Sequence, residues 1–369
     1  MRIMVTGGGT GGHAFPAVAV IEELQRRDPR LSVQWVGRAG AIEERICKAR
    51  SIAFRSLPVE GWPRRMGLRK LWVTVKMAWS LCKAILYIRT FQPDAVLGVG
   101  GYVSLPVVYA AQRMGLPTFL HEQNLRLGVA NQLLARRASR IFLSFTNTMG
   151  QFPAERSEVT GNPVRSDFIS PPSMAEARDA LGLRQDVPVL LVYGGSQGAG
   201  SINRVIMECL PRFKRDELQI VWGTGTQDAA VARQAADSAP VPVHVFAFID
   251  TMAVACSAAD LVVCRSGASG TAELACLGKP SILIPYPHAT DNHQEHNARA
   301  LERAGAAMLM LESECSAEAL QTAIRRLLGN QESLHLMGHC ARQIAHPNAA
   351  DLIVEAILST VFDKVAKPT

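Results

Sequence analysis

Short apolar runs, each followed by a glycine-bearing turn and then an amphipathic stretch, recur along the chain. Residues 2–6, a glycine turn over 7–12 and a periodic stretch over 16–24 predict a strand, a loop and a helix. Residues 189–193, 194–200 and 202–207 repeat that plan. Further strands are predicted at 32–36, 94–99, 117–120, 140–144, 219–222, 243–246, 260–264 and 281–284, with helices between most of them. Alternation of this kind describes parallel sheets wrapped by crossovers. The predicted fold class is therefore α/β: two Rossmann-like domains facing across a cleft, residues 1–163 and 164–346, joined near Gly161-Asn162-Pro163-Val164-Arg165. Ligands of such sheets sit beyond the carboxyl ends of the strands. The glycine turns at 7–12, 98–101 and 194–200, the segment His121-Glu122-Gln123-Asn124 and the turn before Glu273 all follow predicted strands, so all are expected to line the cleft.

A different pattern occupies residues 61–89. Positions 68, 72, 75, 79, 82 and 86 trace one helical face carrying Trp72 and Trp79, amid Trp62, Arg64, Arg65, Arg69, Lys70, Lys76, Lys83 and Arg89. Amphipathic packing is the common fate of such a stretch. Apolar side chains flanked by cations are also what an interfacial membrane site requires.

Composition narrows the picture without changing it. With 369 residues and 48% hydrophobic content, the chain can bury two cores. The eight cysteines are scattered, show no C-x-x-C spacing, and read as reduced packing residues. Met1-Arg2-Ile3-Met4 enters a strand at once, and no run of 18 apolar residues occurs, so the chain is expected to stay on the cytoplasmic side. A formal charge of +7 implies attraction to polyanions, and its concentration in 61–89 favours an anionic membrane surface over nucleic acid.

Candidate chemistry starts at Glu273, four residues into a helix predicted from the Gly/Ser turn at 265–270. A carboxylate accepts two hydrogen bonds from a vicinal diol, and a helix start attracts phosphate, so ribose and diphosphate suit this turn together. Gly7-Gly8-Gly9-Thr10-Gly11-Gly12 satisfies G-x-G-x-x-G, as any tight strand-to-helix turn can. The acidic residue a dinucleotide site needs about 20 positions on is missing from residues 33–38. His13 follows that turn, either as a general base or as a helix-start histidine bonded to the loop. Gly194-Gly195-Ser196-Gln197-Gly198-Ala199 is a diphosphate loop or an ordinary turn; without G-K-[ST] it does not fit triphosphate hydrolysis. The segment 291–297 holds an H-x-x-H pair too weakly specified for a metal, and its amides suit sugar hydroxyls.

Seven ordered segments, from the first glycine turn through 98–102, 121–124, 161–165, 194–199 and 265–273 to 291–297, resemble the MurG family of bacterial cell-wall glycosyltransferases. The resemblance implies the glycosyltransferase-B fold and inverting transfer of N-acetylglucosamine from UDP-N-acetylglucosamine to the C4 hydroxyl of undecaprenyl-pyrophosphoryl-N-acetylmuramoyl-pentapeptide. It implies no metal and no cofactor, and a peripheral place on the cytoplasmic face of the inner membrane. By motif, Thr10, Gly11 and Gly12 approach sugar and acceptor, Asn124 and Gln294 hold the N-acetylglucosamine, and Arg165 and Ser196 lie by the phosphates. Ile249 meets uracil through its backbone, and Ala268, Ser269, Gly270, Thr271, Ala272 and Glu273 surround the donor, with Glu273 on the ribose. His13 is the candidate base. Leu125-Arg126-Leu127 stands where the family usually carries small residues or proline. The helical stretch at about 347–369 is expected to pack back on the first domain. Another glycosyltransferase with a lipid or secondary-metabolite acceptor, a sugar-nucleotide epimerase and a non-enzymatic binding module are the alternative readings.

Overall fold

The computed structural model describes residues 1–61, 68–195 and 198–366, so Trp62, Arg64, Arg65 and Ser196 lie outside the described residues. The chain divides into two compact units, Met1–Arg165 with His346–Thr369, and Ser166–Ala345.

The first unit contains strands β1 (Arg2–Thr6), β2 (Ser32–Gly37), β3 (Ala53–Ser56), β4 (Ala95–Gly98), β5 (Thr118–Glu122), β6 (Arg140–Leu143) and β7 (Ser157–Val159). They form one sheet in the order β3-β2-β1-β4-β5-β6-β7, every pair parallel. Successive side chains of a strand point to opposite faces, and here that period divides two cores. Ile3, Val5, Leu97, Phe119 and Phe142 enter one. Met4, Val96, Leu120 and Ile141 enter the other. Burial on both faces explains why these strands read as continuous apolar runs.

The first core is closed by the Gly11–Arg27 helix, through Ala14, Ala17, Val18 and Ile21, and by the Ala349–Ala366 helix, through Ile353, Val354, Ile357 and Val361. Arg27 pairs with the Asp351 carboxylate across these two helices. The end of the chain is thereby part of the core that its first residues begin.

The Leu68–Phe91 helix lies on the other core, with Val73, Ser80, Ala84 and Ile88 buried. Trp72, Val75, Trp79 and Leu86 are 51–59% exposed. The face traced at 72, 75, 79 and 86 is thus the outward one, because a second apolar stripe supplies the packing. Lys76 pairs with Glu60 and lies 5.3 Å from the Trp72 ring centroid.

The second unit contains β8 (Val189–Tyr193), β9 (Gln219–Gly223), β10 (Val243–Phe246), β11 (Leu261–Cys264), β12 (Ser281–Leu283) and β13 (Met308–Leu309). Their order, β10-β9-β8-β11-β12-β13, repeats the plan of the first sheet with every pair parallel. Leu190, Val192, Ile220, Trp222 and Val263 pack against Ile202 and Ile206 of the Gly200–Cys209 helix and Leu320 and Ile324 of the Ala317–Leu328 helix.

Three strands, β3, β7 and β13, go unannounced by the periodicity. All lie at sheet edges. Their residues are half-buried or exposed, so no apolar run marks them. Three helices start earlier than the pattern predicts, at Gly11 rather than 16, at Gly200 rather than 202 and at Ala268 rather than after the turn at 265–270, because glycines and small residues form their first turns. Ile357→Ala is expected to destabilise the first unit by about 2–4 kcal/mol through an unfilled cavity. Hydrogen exchange of the β1 and β2 amides measures it, and Phe362→Ala, at a site 65% exposed, serves as the control with little effect.

Candidate active site

In each sheet the strand order reverses between two central neighbours, β1 and β4 in the first unit and β8 and β11 in the second. The carboxyl ends flanking such a reversal form a crevice open to ligands. The glycine turns that mark the sequence follow these four strands.

At the end of β1, Gly7, Gly8 and Gly9 have φ of 139°, 141° and 87°. A side chain at Gly7 would meet Val99 at 2.4 Å, and one at Gly8 would meet the Glu43 carboxyl carbon at 2.3 Å. Glu43 is fully buried and accepts hydrogen bonds from Gly9 N–H and Arg38 N–H, both at 2.9 Å. Thr10 is the N-cap of the Gly11–Arg27 helix, its own side chain making no cap, and its carbonyl accepts from the N–H groups of His13 and Ala14. Gly11 and Gly12 thus form the first helical turn, and His13 stands in that turn, half-buried.

The segment after β5 converges on the same place. His13 Nδ1 lies 2.8 Å from Gln123 Oε1. Gln123 Nε2 lies 2.9 Å from the Val99 carbonyl and 2.9 Å from His121 Nδ1, and His121 Nε2 lies 3.3 Å from the Gly161 carbonyl. Burial pulls the His121 pKa down to about 4. Glu122, also buried, accepts from Asn124 N–H and Asn124 Nδ2 through one oxygen, and from Gly128 N–H and Asn131 Nδ2 through the other. One hydrogen of the Asn124 amide nitrogen is therefore held inward by Glu122. Arg165 holds its guanidinium 4.5 Å from the Phe15 ring centroid, on the His13 helix.

In the second unit, Gly194 leaves no room for a side chain, which would lie 2.3 Å from Ala199 N, and Gly195 and Gly198 adopt φ of 93° and 79°. After β11 the helix runs Ala268–Leu277, with Gly267 as a cap that has no side chain. The predicted position of Glu273 needs correction: it is the sixth helical residue and buried, because Ala268, Ser269 and Gly270 already form the first turn. Thr271 bonds back to the Gly267 and Ala268 carbonyls, and Ala272 precedes the carboxylate.

Two contacts tie this turn to the His293–Arg303 helix: Ser266 Oγ donates to the Gln294 carbonyl at 2.8 Å, and Asn297 Nδ2 to the Ser266 carbonyl at 3.3 Å. Gln294 Oε1 accepts from Tyr286 N–H, so its amide nitrogen is the group turned to donate. Ile249 is buried over Gly223 at the end of β9. His293 Nδ1 is engaged by the Thr290 carbonyl, and among the described residues no cluster of three His, Cys, Asp or Glu could hold a metal.

Sequence reasoning passed over Glu43, Gln123 and Arg265 as site residues. Arg265 donates to the Ile284 and Pro285 carbonyls and to Ser201 Oγ, and pairs with Glu312 at 2.5 Å, which fixes the turn after β11. Gln123 lies within 121–124 and Arg265 within 265–273; only their bonding shows their part.

Doubly wound sheets in both units, each with glycine turns at its reversal point, make this a glycosyltransferase-B architecture. The chain belongs to glycosyltransferase family 28, with residues 3–143 matching the N-terminal domain of that family and residues 189–353 the C-terminal domain. Over 362 residues it is 38% identical to the UDP-N-acetylglucosamine–N-acetylmuramyl-(pentapeptide) pyrophosphoryl-undecaprenol N-acetylglucosamine transferase of Geobacter sulfurreducens, covering 98% of this chain and 99% of the relative. The Bacillus subtilis protein of the same name is 36% identical over 376 residues and covers all of both chains. Among solved structures, MurG of Acinetobacter baumannii superposes with a TM-score of 0.76 at 32% identity, covering 97% of this chain and 99% of that one. A UDP-GlcNAc 2-epimerase from Neisseria meningitidis, bound to UDP-GlcNAc, has a TM-score of 0.67 at 17% identity, covers 97% and 100%, and shares the fold alone. The resemblance to the MurG family holds over nearly the whole chain.

An unfolded histidine titrates near 6.5, whereas buried His121 stays neutral down to about 4. Between those values the unfolded chain binds the extra proton, so stability falls as the pH is lowered, by on the order of 3 kcal/mol at the low end. Urea midpoints taken from pH 7 to pH 4 are expected to show this decline, with a flatter slope in His121→Asn.

Proposed function

We propose that this chain transfers N-acetylglucosamine, with inversion, from UDP-N-acetylglucosamine to the C4 hydroxyl of undecaprenyl-pyrophosphoryl-N-acetylmuramoyl-pentapeptide, in peptidoglycan synthesis. The observation that carries this reading is the full-length likeness to transferases named for that reaction, at 38% identity with 99% of the relative covered. The acceptor is assigned to the first unit and the donor to the second.

In this reading His13 takes the proton from the acceptor C4 hydroxyl. That oxygen forms a bond to the anomeric carbon from the face opposite UDP, and UDP leaves with the electron pair of the broken bond. Thr10, Gly11 and Gly12 admit the reacting groups beside His13. Asn124 accepts from a sugar hydroxyl or amide, and Gln294 donates to one. Charge on the departing diphosphate is met by Ser196, by the N–H groups of the helix start at Ala268–Gly270 and by Arg165, rather than by a bound cation. Glu273 holds the ribose diol, and the Ile249 backbone meets the uracil. The buried setting of Glu273 supports this role, since a carboxylate out of water favours partners that donate to it.

No described helix is long and apolar enough to cross a membrane. The outward Trp72, Val75, Trp79 and Leu86, with Lys76, Lys83 and Arg89 on the same helix, support peripheral binding to anionic lipid at the cytoplasmic face of the inner membrane. That position would bring the enzyme to an acceptor embedded by its polyprenyl chain.

Purified protein is expected to glycosylate a short-chain lipid-linked acceptor from UDP-N-acetylglucosamine with chelator present. Transfer from UDP-glucose with none from UDP-N-acetylglucosamine would overturn the assignment. His13→Ala is expected to lower kcat by about 10²–10⁴-fold with little change in donor KM. Glu273→Ala should chiefly raise donor KM, by about tenfold, the loss of a charged hydrogen-bonding partner. Replacing Trp72 and Trp79 together by Glu should abolish sedimentation with anionic vesicles while UDP binding persists; undiminished sedimentation would exclude this face.

A further inference from the structure

An imidazole can act as a base only through a ring nitrogen that carries no proton, and a neutral ring offers either nitrogen according to its tautomer. The surroundings of His13 determine which one. Two anchors fix the chain of hydrogen bonds. The Val99 carbonyl can only accept, and it lies 2.9 Å from the Gln123 amide nitrogen. The Gly161 carbonyl can only accept, and it lies 3.3 Å from His121 Nε2, which therefore carries the His121 proton. His121 is 1% exposed and neutral, so its Nδ1 is bare and accepts from the same Gln123 amide nitrogen at 2.9 Å.

Both anchors thus place the –NH2 of Gln123 inward and its oxygen toward His13. An amide oxygen only accepts. The 2.8 Å contact between Gln123 Oε1 and His13 Nδ1 is then an N–H donated by His13. Its proton sits on Nδ1, and Nε2 keeps its lone pair. Gly100, with φ of 91°, has its backbone against this bond: an added Cβ would lie 3.1 Å from His13 Nδ1 and 3.6 Å from Gln123 Oε1.

We propose that Gln123 is a positioning residue of the transfer reaction: anchored by the Val99 carbonyl and His121, it holds His13 as the Nδ1–H tautomer and so presents the Nε2 lone pair to the acceptor hydroxyl. This rests on the reading of His13 as the base. When Nε2 takes the hydroxyl proton, the ring becomes cationic and its Nδ1–H bond to Gln123 becomes charge-assisted. A neutral amide fixes the tautomer as a carboxylate would, but leaves the new imidazolium freer to give its proton up. Enforcing the wrong tautomer in a histidine base is costly, about 10⁴-fold in the serine protease case.

The test is nitrogen NMR of the full-length protein labelled at histidine, with the His13 signals assigned from their loss in His13→Ala, combined with steady-state kinetics. The wild-type neutral ring is expected as the single Nδ1–H tautomer. Gln123→Met keeps the volume and removes the acceptor and both donors. It is expected to admit the Nε2–H tautomer and to lower kcat by about tenfold or more, while donor KM changes by less than about threefold. An Nε2–H ring in the wild type overturns the proposal, and that spectrum decides alone if Gln123→Met does not fold. So does a Gln123→Met protein that keeps the Nδ1–H tautomer, whether or not its turnover falls. The base reading fails separately: full turnover in His13→Ala would remove it while leaving the tautomer assignment measurable.

Discussion

The Glu43 carboxylate lies out of water beneath the backbone of Gly8, and the N–H groups of Gly9 and Arg38 face it at 2.9 Å. A buried anion persists only where donors of this kind surround it. The Gly9 donor is presented because residues 7–9 take positive φ, and the carboxylate can approach because Gly8 has no side chain. Loop and anion therefore require one another. The bend they fix ends at Thr10, whose carbonyl starts the next helix, and His13 is carried on that first turn toward Gln123. The position of His13 thus depends on this one buried contact.

The second unit secures its turn with charge of the opposite sign. Arg265, its side chain 9% exposed, draws together two carbonyls after β12, a hydroxyl of the Gly200–Cys209 helix and the Glu312 carboxylate. One doubly wound plan thus carries an anion braced by amides in one copy and a cation braced by carbonyls in the other. In both, the backbone of the turn is positioned by what is buried behind it.

The central strands were legible because both of their faces are covered: Ile3 and Met4 are adjacent, point to different cores, and are equally apolar. Edge strands such as Ala53–Ser56, half in water, carry no such mark. The site was legible where glycine is compulsory, since a turn at positive φ against a neighbouring strand leaves its trace in composition. Helix starts were placed late at Gly11 and Ala268, because glycine and small residues at a first turn look like loop. Least visible were Glu43, Gln123 and Arg265, whose roles consist of bonds to residues far along the chain; a side chain's hydrogen-bonding partners are a property of the fold and leave no local pattern.

The Ala349–Ala366 helix has a consequence for the order of events in synthesis. Ile353, Val354 and Ile357 fill the core that Ile3 and Val5 open, so the first unit is incomplete until residues beyond the whole of the second unit have emerged. The intervening unit, Ser166–Ala345, has all of its strands in hand earlier. Domains elsewhere tend to fold from the amino end as they leave the ribosome. Here the middle of the chain can finish before its beginning, while one apolar face of the nascent first sheet waits only partly covered, by the Gly11–Arg27 helix, and in need of shielding from other chains.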